Sequence, residues 1–148
     1  MDFPFPVDEG LHINFDSSDI DFALADDQKI INWLEQIIQS EVGNVSELNY
    51  VFCSDEYLHK LNVEYLDHDT LTDIITFPIN DDPIQSDIFI SIDRVWENAS
   101  DRSILFEDEL HRVIAHGLLH LLGYGDKSDI EKARMRFKED DCLSRLIL

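Results

Sequence analysis

The stretch TDIITFPINDDPIQSDIFISI, residues 72–92, decides the architecture. Its two ends, Thr72–Phe77 and Asp87–Ile92, are dense in β-branched and aromatic side chains and predict two strands. Between them Pro78–Ser86 carries two prolines and two aspartates, which predicts a loop. Strand, short loop, strand predicts antiparallel neighbours at a sheet edge.

Toward the N-terminus, Leu11–Phe15 reads as a short strand. From Asp26 the spacing of Ile30, Trp33, Leu34, Ile37 and Ile38 has the helical period, with Asp26 or Asp27 as N-cap and Gly43-Asn44 as the stop. Ser46–Cys53 alternates Leu48, Tyr50 and Phe52 as a half-buried strand does. Ser54 then suits a helix N-cap, and Tyr57, Leu58, Leu61 and Tyr65 line one face of that helix. Toward the C-terminus, Ile92–Asn98 begins a helix and Ser103 or a neighbour caps the next. Glu107–Leu122 is the most apolar helix, and a last one runs from about Ser128 to Leu146. The order β-α-β-α-β-β-α-α-α predicts an α/β (α+β) single domain, residues 11–148, with one mixed, mostly four-stranded sheet packed by about five helices. Residues 1–10 are read as an extension.

Composition agrees with one domain: 148 residues, 44% hydrophobic, suffice for a full core. No apolar run approaches the roughly 20 residues of a membrane span. The start MDFPFPVDEG has neither the basic nor the apolar part of a signal peptide, so a cytoplasmic location is expected. Cys53 and Cys142 form no CxxC pair and are expected to be buried apolar groups. The formal charge is −21, from 11 Lys+Arg against 32 Asp+Glu. Residues 126–148 balance six basic against six acidic side chains, so the whole excess lies in residues 1–125, with 5 basic and 26 acidic. Such a body argues against tight binding of naked nucleic acid, whose phosphates are bound by Lys and Arg.

The chemistry concentrates in HGLLHLLGYGD, residues 116–126. His116 and His120, four apart, project from one helical face. Their neighbours Ile114, Ala115, Leu118, Leu119, Leu121 and Leu122 are apolar, so the helix is expected to be buried. Neutral imidazoles paired this way are good Zn²⁺ ligands. Gly123 stops the helix and turns the chain, which brings Asp126 within reach as a third ligand. Three protein ligands with one open position is the catalytic form of a zinc site. Gly117, costly by roughly 1 kcal/mol in mid-helix, implies close backbone packing or access to the metal. The ordinary zinc-protease base is missing, because Gly117 stands where HExxH has its glutamate. His111 lies on another part of the helix and is excluded; His12, His59 and His68 are read as surface or structural.

These residues resemble the YbeY family of bacterial rRNA maturation factors. HGLLHLLGYGD follows the family pattern HGxLHLxGYDH, and LNVEYLDHDTLTDIITFP, residues 61–78, follows LNxxYRxxDxxTDVLSFP. DIFISIDRV at 87–95 and Met135 also fall where the family has counterparts, and the likeness spans about residues 11–145. The resemblance implies a metal-dependent, single-strand-specific endoribonuclease, acting in 3′-end maturation of small-subunit ribosomal RNA and in ribosome quality control. It places the three metal ligands at His116, His120 and Asp126, and Met135 beneath them as packing. The chain departs from the pattern where Asp126 replaces the third histidine, Gly125 an aspartate and Leu66 an arginine. An anionic third ligand makes the metal a weaker Lewis acid. The absent arginine leaves phosphate contact to Lys127, Arg112 or Arg134.

The expected mechanism is phosphodiester hydrolysis at one Zn²⁺, with Lys127 offsetting phosphate charge and Asp73 orienting a ligand histidine. Expected partners are single-stranded RNA of the small ribosomal subunit and, given the acidity, basic ribosomal proteins or an assembly GTPase. The alternative is a ribosome-assembly binding factor with a structural metal and little nuclease activity. Hydrolysis of a small molecule or peptide is a weaker alternative.

Overall fold

The computed structural model describes residues 10–68 and 71–146. Residues 1–9, most of the expected N-terminal extension, lie outside them. The chain forms β1 (His12–Ser17), α1 (Asp27–Ser40), β2 (Val45–Cys53), α2 (Asp55–Leu66), β3 (Ile74–Asp81), β4 (Ile84–Ser91), α3 (Ile92–Arg102), α4 (Phe106–Leu121) and α5 (Asp129–Ser144). This is the expected order, in one domain.

The sheet runs β1-β2-β4-β3, with β1-β2 and β2-β4 parallel and β3-β4 antiparallel at the edge. The expected loop at residues 78–86 shrinks to a turn at Asp82-Pro83. The ladder continues up to it on both sides, Pro78 opposite Ser86 and Asp81 opposite Ile84, with a register shift between Pro78 and Asn80. An edge strand explains this, since an irregular edge tolerates a proline that a central strand would not.

Alternation along the strands sorts the core. Leu48, Tyr50, Phe52, Ile88 and Ile90 face α1, α3, α4 and α5, whereas Cys53, Ile75, Phe77 and Phe89 meet α2 on the other face. Both cysteines are free and buried, as expected. Two buried hydrogen bonds tie the main layer together. Tyr50 Oη donates to the Ile114 carbonyl of α4 (3.0 Å), and Trp33 Nε1 donates to the Cys142 carbonyl of α5 (2.8 Å).

The caps follow the sequence except at α1 and α4. Asp26 stands at the N-cap of α1 in a left-handed conformation (φ 52°) and its side chain makes no cap bond. Ser54 and Ser91 accept from the backbone N–H of Tyr57 and Arg94, and Ser128 with Glu131 makes a capping box that starts α5. Ser103 does not cap the following helix. It closes α3 in a left-handed conformation (φ 56°), and Leu105 precedes α4 without a side-chain cap.

Gly117 is explained by packing. A Cβ there would lie 2.8 Å from Ile74 Cδ1 and 3.4 Å from Ile88 Cγ2, so α4 rests its backbone on β3 and β4 at this turn. Gly117→Val should therefore overpack the contact and destabilise the fold by about 1–3 kcal/mol, read by urea unfolding.

A second tie holds the segment after α4. Glu41 Oε1 accepts from Tyr124 Oη and Oε2 from Lys138 Nζ, both at 2.6 Å, linking the end of α1, the 122–126 turn and α5. Burial pushes the Glu41 carboxyl up, but the bonds from Lys138 and Tyr124 outweigh it and hold it below the ordinary 4.5. Because the folded value is the lower one, the stabilisation is complete above 4.5 and is lost as pH falls through the folded value. Glu41→Gln should cost about 1–2 kcal/mol at neutral pH, with the difference from wild type shrinking toward acid pH in parallel melts.

Candidate metal centre

Helix α4 is the most buried helix, with nine residues from Glu109 to Leu119 inside, and it carries His116 and His120 on the face turned from the main core. Their rings sit nearly perpendicular, centroids 5.4 Å apart. The helix ends at Leu122, and Gly123 takes the positive φ of 109° that folds the chain back. Asp126 then reaches both rings: its Oδ2 lies 3.3 Å from His116 Nε2 and its Oδ1 3.4 Å from His120 Nε2. One ligand atom from each of the three residues falls within 4.8 Å of the others. Two imidazole nitrogens and a carboxylate oxygen are a donor set that suits Zn²⁺, and a cation fits where they converge. Met135 is buried in the main core.

Two clefts meet at this cluster. One, about 270 Å³, is lined by Asp73, Arg102, Glu109, Arg112, Arg136 and Glu139 together with His116 and Asp126. The other, about 360 Å³, passes along Leu66, His68 and Thr72–Thr76 to His116, His120 and Asp126. Leu66, the position of the missing arginine, thus borders the second cleft and offers it no charge.

Asp73 stands on the wall shared by both clefts. Burial raises its carboxyl above the ordinary value against the opposing pull of the His116 and Arg102 charges. Its side chain does not orient a ligand histidine as expected: among the described residues its side-chain partner is Asn98, whose Nδ2 donates to it over a long 3.4 Å. The nitrogen of His116 remote from Asp126 faces another residue: Nδ1 lies 2.7 Å from Glu139 Oε2. For His116, burial opposes the charged ring, but Glu139, Asp126 and Asp73 outweigh it and raise its pKa.

Of the cations considered from sequence, Lys127 is exposed and lines neither cleft, and Arg134 borders a separate hollow beside Tyr124. Arg112 reaches the first cleft but is held by Glu139 (3.0 Å) and Asp140 (2.7 Å). Arg102 is held by Glu109 at 2.6 Å. Arg136 is the looser one, 57% exposed and 3.9 Å from Glu139. His111 is buried against Trp33, and burial lowers its pKa, in keeping with its exclusion.

Four charged residues of the first cleft were not foreseen: Arg102, Glu109, Arg136 and Glu139. Glu109 is 1% exposed, and burial raises its carboxyl despite Arg102. For Glu139 a signal was present, since Met135, Glu139 and Cys142 form the buried stripe of α5 and an ionisable residue on such a stripe needs a partner.

An α/β domain whose sheet-packed helix sets two imidazoles against a carboxylate where two clefts meet has the layout of a hydrolase with a candidate metal centre. The comparisons narrow that class. The family model for endoribonuclease YbeY matches residues 12–147, and the chain belongs to that family. It is 53% identical over 130 residues to a Flavobacterium johnsoniae protein named endoribonuclease YbeY, covering 87% of this chain and 93% of that one. A Cytophaga hutchinsonii protein of the same name is 52% identical over 134 residues, 89% and 94% of the two chains. A solution structure of a Thermotoga maritima protein superposes with a TM-score of 0.64 at 27% identity, covering 90% of this chain and 88% of that one. Among the described residues no helix is long and apolar enough to cross a membrane.

Proposed function

We propose that this chain is a zinc-dependent endoribonuclease that cuts single-stranded RNA in the maturation of small-subunit ribosomal RNA and in ribosome quality control, in the cytoplasm. Residues 11–148 form its hydrolase domain, and His116, His120 and Asp126 hold one Zn²⁺. The observation that carries this reading is the convergence of their ligand atoms within 4.8 Å at the junction of two clefts.

The chemistry a bound Zn²⁺ supplies there is Lewis acidity toward a phosphoryl oxygen, lessened by one anionic ligand. The protein does the rest. Two clefts that meet at the centre suit a strand that runs from one into the other, with the scissile phosphate at the junction. Asp73, whose burial favours its protonated form, lines both clefts and is suited to give a proton to the departing ribose oxygen. Arg136 replaces the arginine lost at Leu66 by meeting a flanking phosphate in the first cleft, and Lys127 contributes only longer-range positive charge. The acidic body repels RNA at long range, so delivery by the ribosome, or by basic proteins or a GTPase bound to it, fits the charge better than capture from solution.

His116→Ala tests the centre. Metal content should fall from about one per chain to background, and cleavage of an unstructured RNA by about 10²–10³-fold, the usual loss when a preorganised electrostatic group is removed. Metal lost with cleavage intact would reject a metal-centred reaction, and a metal-loaded wild type that leaves the RNA uncut would favour the binding-factor reading.

Arg136→Ala tests the phosphate contact. RNA binding should weaken about equally for all sequences, and the slope of log affinity against log salt should fall by about 0.7, the share of one phosphate in a single strand. Fluorescence anisotropy over a salt series measures both.

A further inference from the structure

His116 is held from both sides. Nε2 faces Asp126 at 3.3 Å, and Nδ1 lies 2.7 Å from Oε2 of Glu139. Glu139 is only 6% exposed, and its other oxygen accepts from Arg112 Nη1 at 3.0 Å, while Arg112 Nη2 is anchored on Asp140 at 2.7 Å. A carboxylate engaged by a guanidinium accepts hydrogen bonds and donates none. The short contact to His116 therefore needs its proton on Nδ1. That leaves the lone pair on Nε2, the nitrogen turned toward His120 and Asp126. Nothing comparable holds His120, which is 40% exposed and has no carboxylate at its Nδ1 among the described residues.

We infer that Glu139 is a positioning residue of the centre: held by Arg112, it locks His116 in the Nδ1–H tautomer and aims the Nε2 lone pair at the cation position. A carboxylate behind a ligand imidazole fixes the ring and strengthens its donor nitrogen. The functional weight of this inference rests on the proposed ligand role of His116, His120 and Asp126, but the tautomer it requires exists without any cation. The arrangement also accounts for burying a glutamate on the stripe between Met135 and Cys142, where an apolar residue would otherwise pack.

The experiment has two readouts on the full chain. In the metal-free protein at alkaline pH, long-range ¹H–¹⁵N spectra, assigned with His116→Ala, should show the His116 ring as Nδ1–H. Competition with a chromophoric chelator should give the Zn²⁺ affinity. Glu139→Gln preserves volume. Its amide oxygen stays with Arg112 and its NH₂ faces Nδ1, which drives the ring to Nε2–H, as replacing the histidine-orienting aspartate by asparagine does in serine proteases. Zn²⁺ affinity should then fall about 10–100-fold with little change in melting temperature. Glu139→Ala should lose the Nδ1–H preference and a similar affinity.

A wild-type ring in the Nε2–H form overturns the inference whatever the variants do. So does a folded variant that keeps both the wild-type tautomer and an affinity within about twofold of wild type. If wild type itself binds no Zn²⁺, the ligand reading fails separately, and the tautomer in wild type and variants alone decides the part of Glu139.

Discussion

The contact on which the rest depends is the seating of α4 on the sheet at Gly117. The missing side chain lets the helix backbone approach Ile74 more closely than a Cβ would allow without a shift, with Ile88 in contact beside it. His116 and His120 flank that residue, so the turn that touches the sheet is the turn that carries both imidazoles. Their heights above β3, and hence the position of the junction between the clefts, follow from this one close approach. Tyr50 fixes the same helix from below by bonding the Ile114 carbonyl, two residues before His116.

The third member of the cluster depends on chain direction as well as packing. Gly123 turns the chain out of α4, Tyr124 is tied down by Glu41, and Ser128 with Glu131 starts α5. Asp126 sits between two anchored points, which is how a loop carboxylate can meet two helix-borne rings. Helix α5 then packs on α4 and brings Glu139 behind His116. Two helices and the turn joining them thus surround the centre, while the sheet supplies its floor.

The charge of −21 takes on a particular meaning in this frame. The first cleft is mixed in sign: Asp73, Glu109, Asp126 and Glu139 face Arg102, Arg112 and Arg136. Most of that positive charge is consumed by internal pairs, which organise the carboxylates and leave little for a polyanion. Arg136 comes from the neutral C-terminal stretch, Arg102 and Arg112 from the acidic body. The site therefore gathers a local balance that the chain as a whole lacks, and burial makes local balance matter more than net charge.

Much of this was legible in one dimension. All nine elements were marked, α1, β2 and α2 by apolar spacing that records the buried face, and β3 and β4 by their density of β-branched and aromatic residues. HxxxH on an apolar helix, the interior Gly117 and the helix-ending Gly123 marked the cluster, because ligands one helical turn apart are local in sequence. Where sequence reading erred, the deciding partner was remote. Residues 78–86 pair as strand because the far side of β3 is an edge, and Ser103 closes a helix because α3 and α4 pack at that corner. Lys127, next to the motif, stands away from the clefts, whereas Arg136 and Glu139, ten or more residues beyond it, line one of them. The spacing of 23 residues between His116 and Glu139 has no local period, so only the docking of α5 against α4 could make them neighbours. Sequence by itself determined which side chains share a face; tertiary packing decided which faces meet, because a contact between two elements depends on the fit of both surfaces and is written in neither alone.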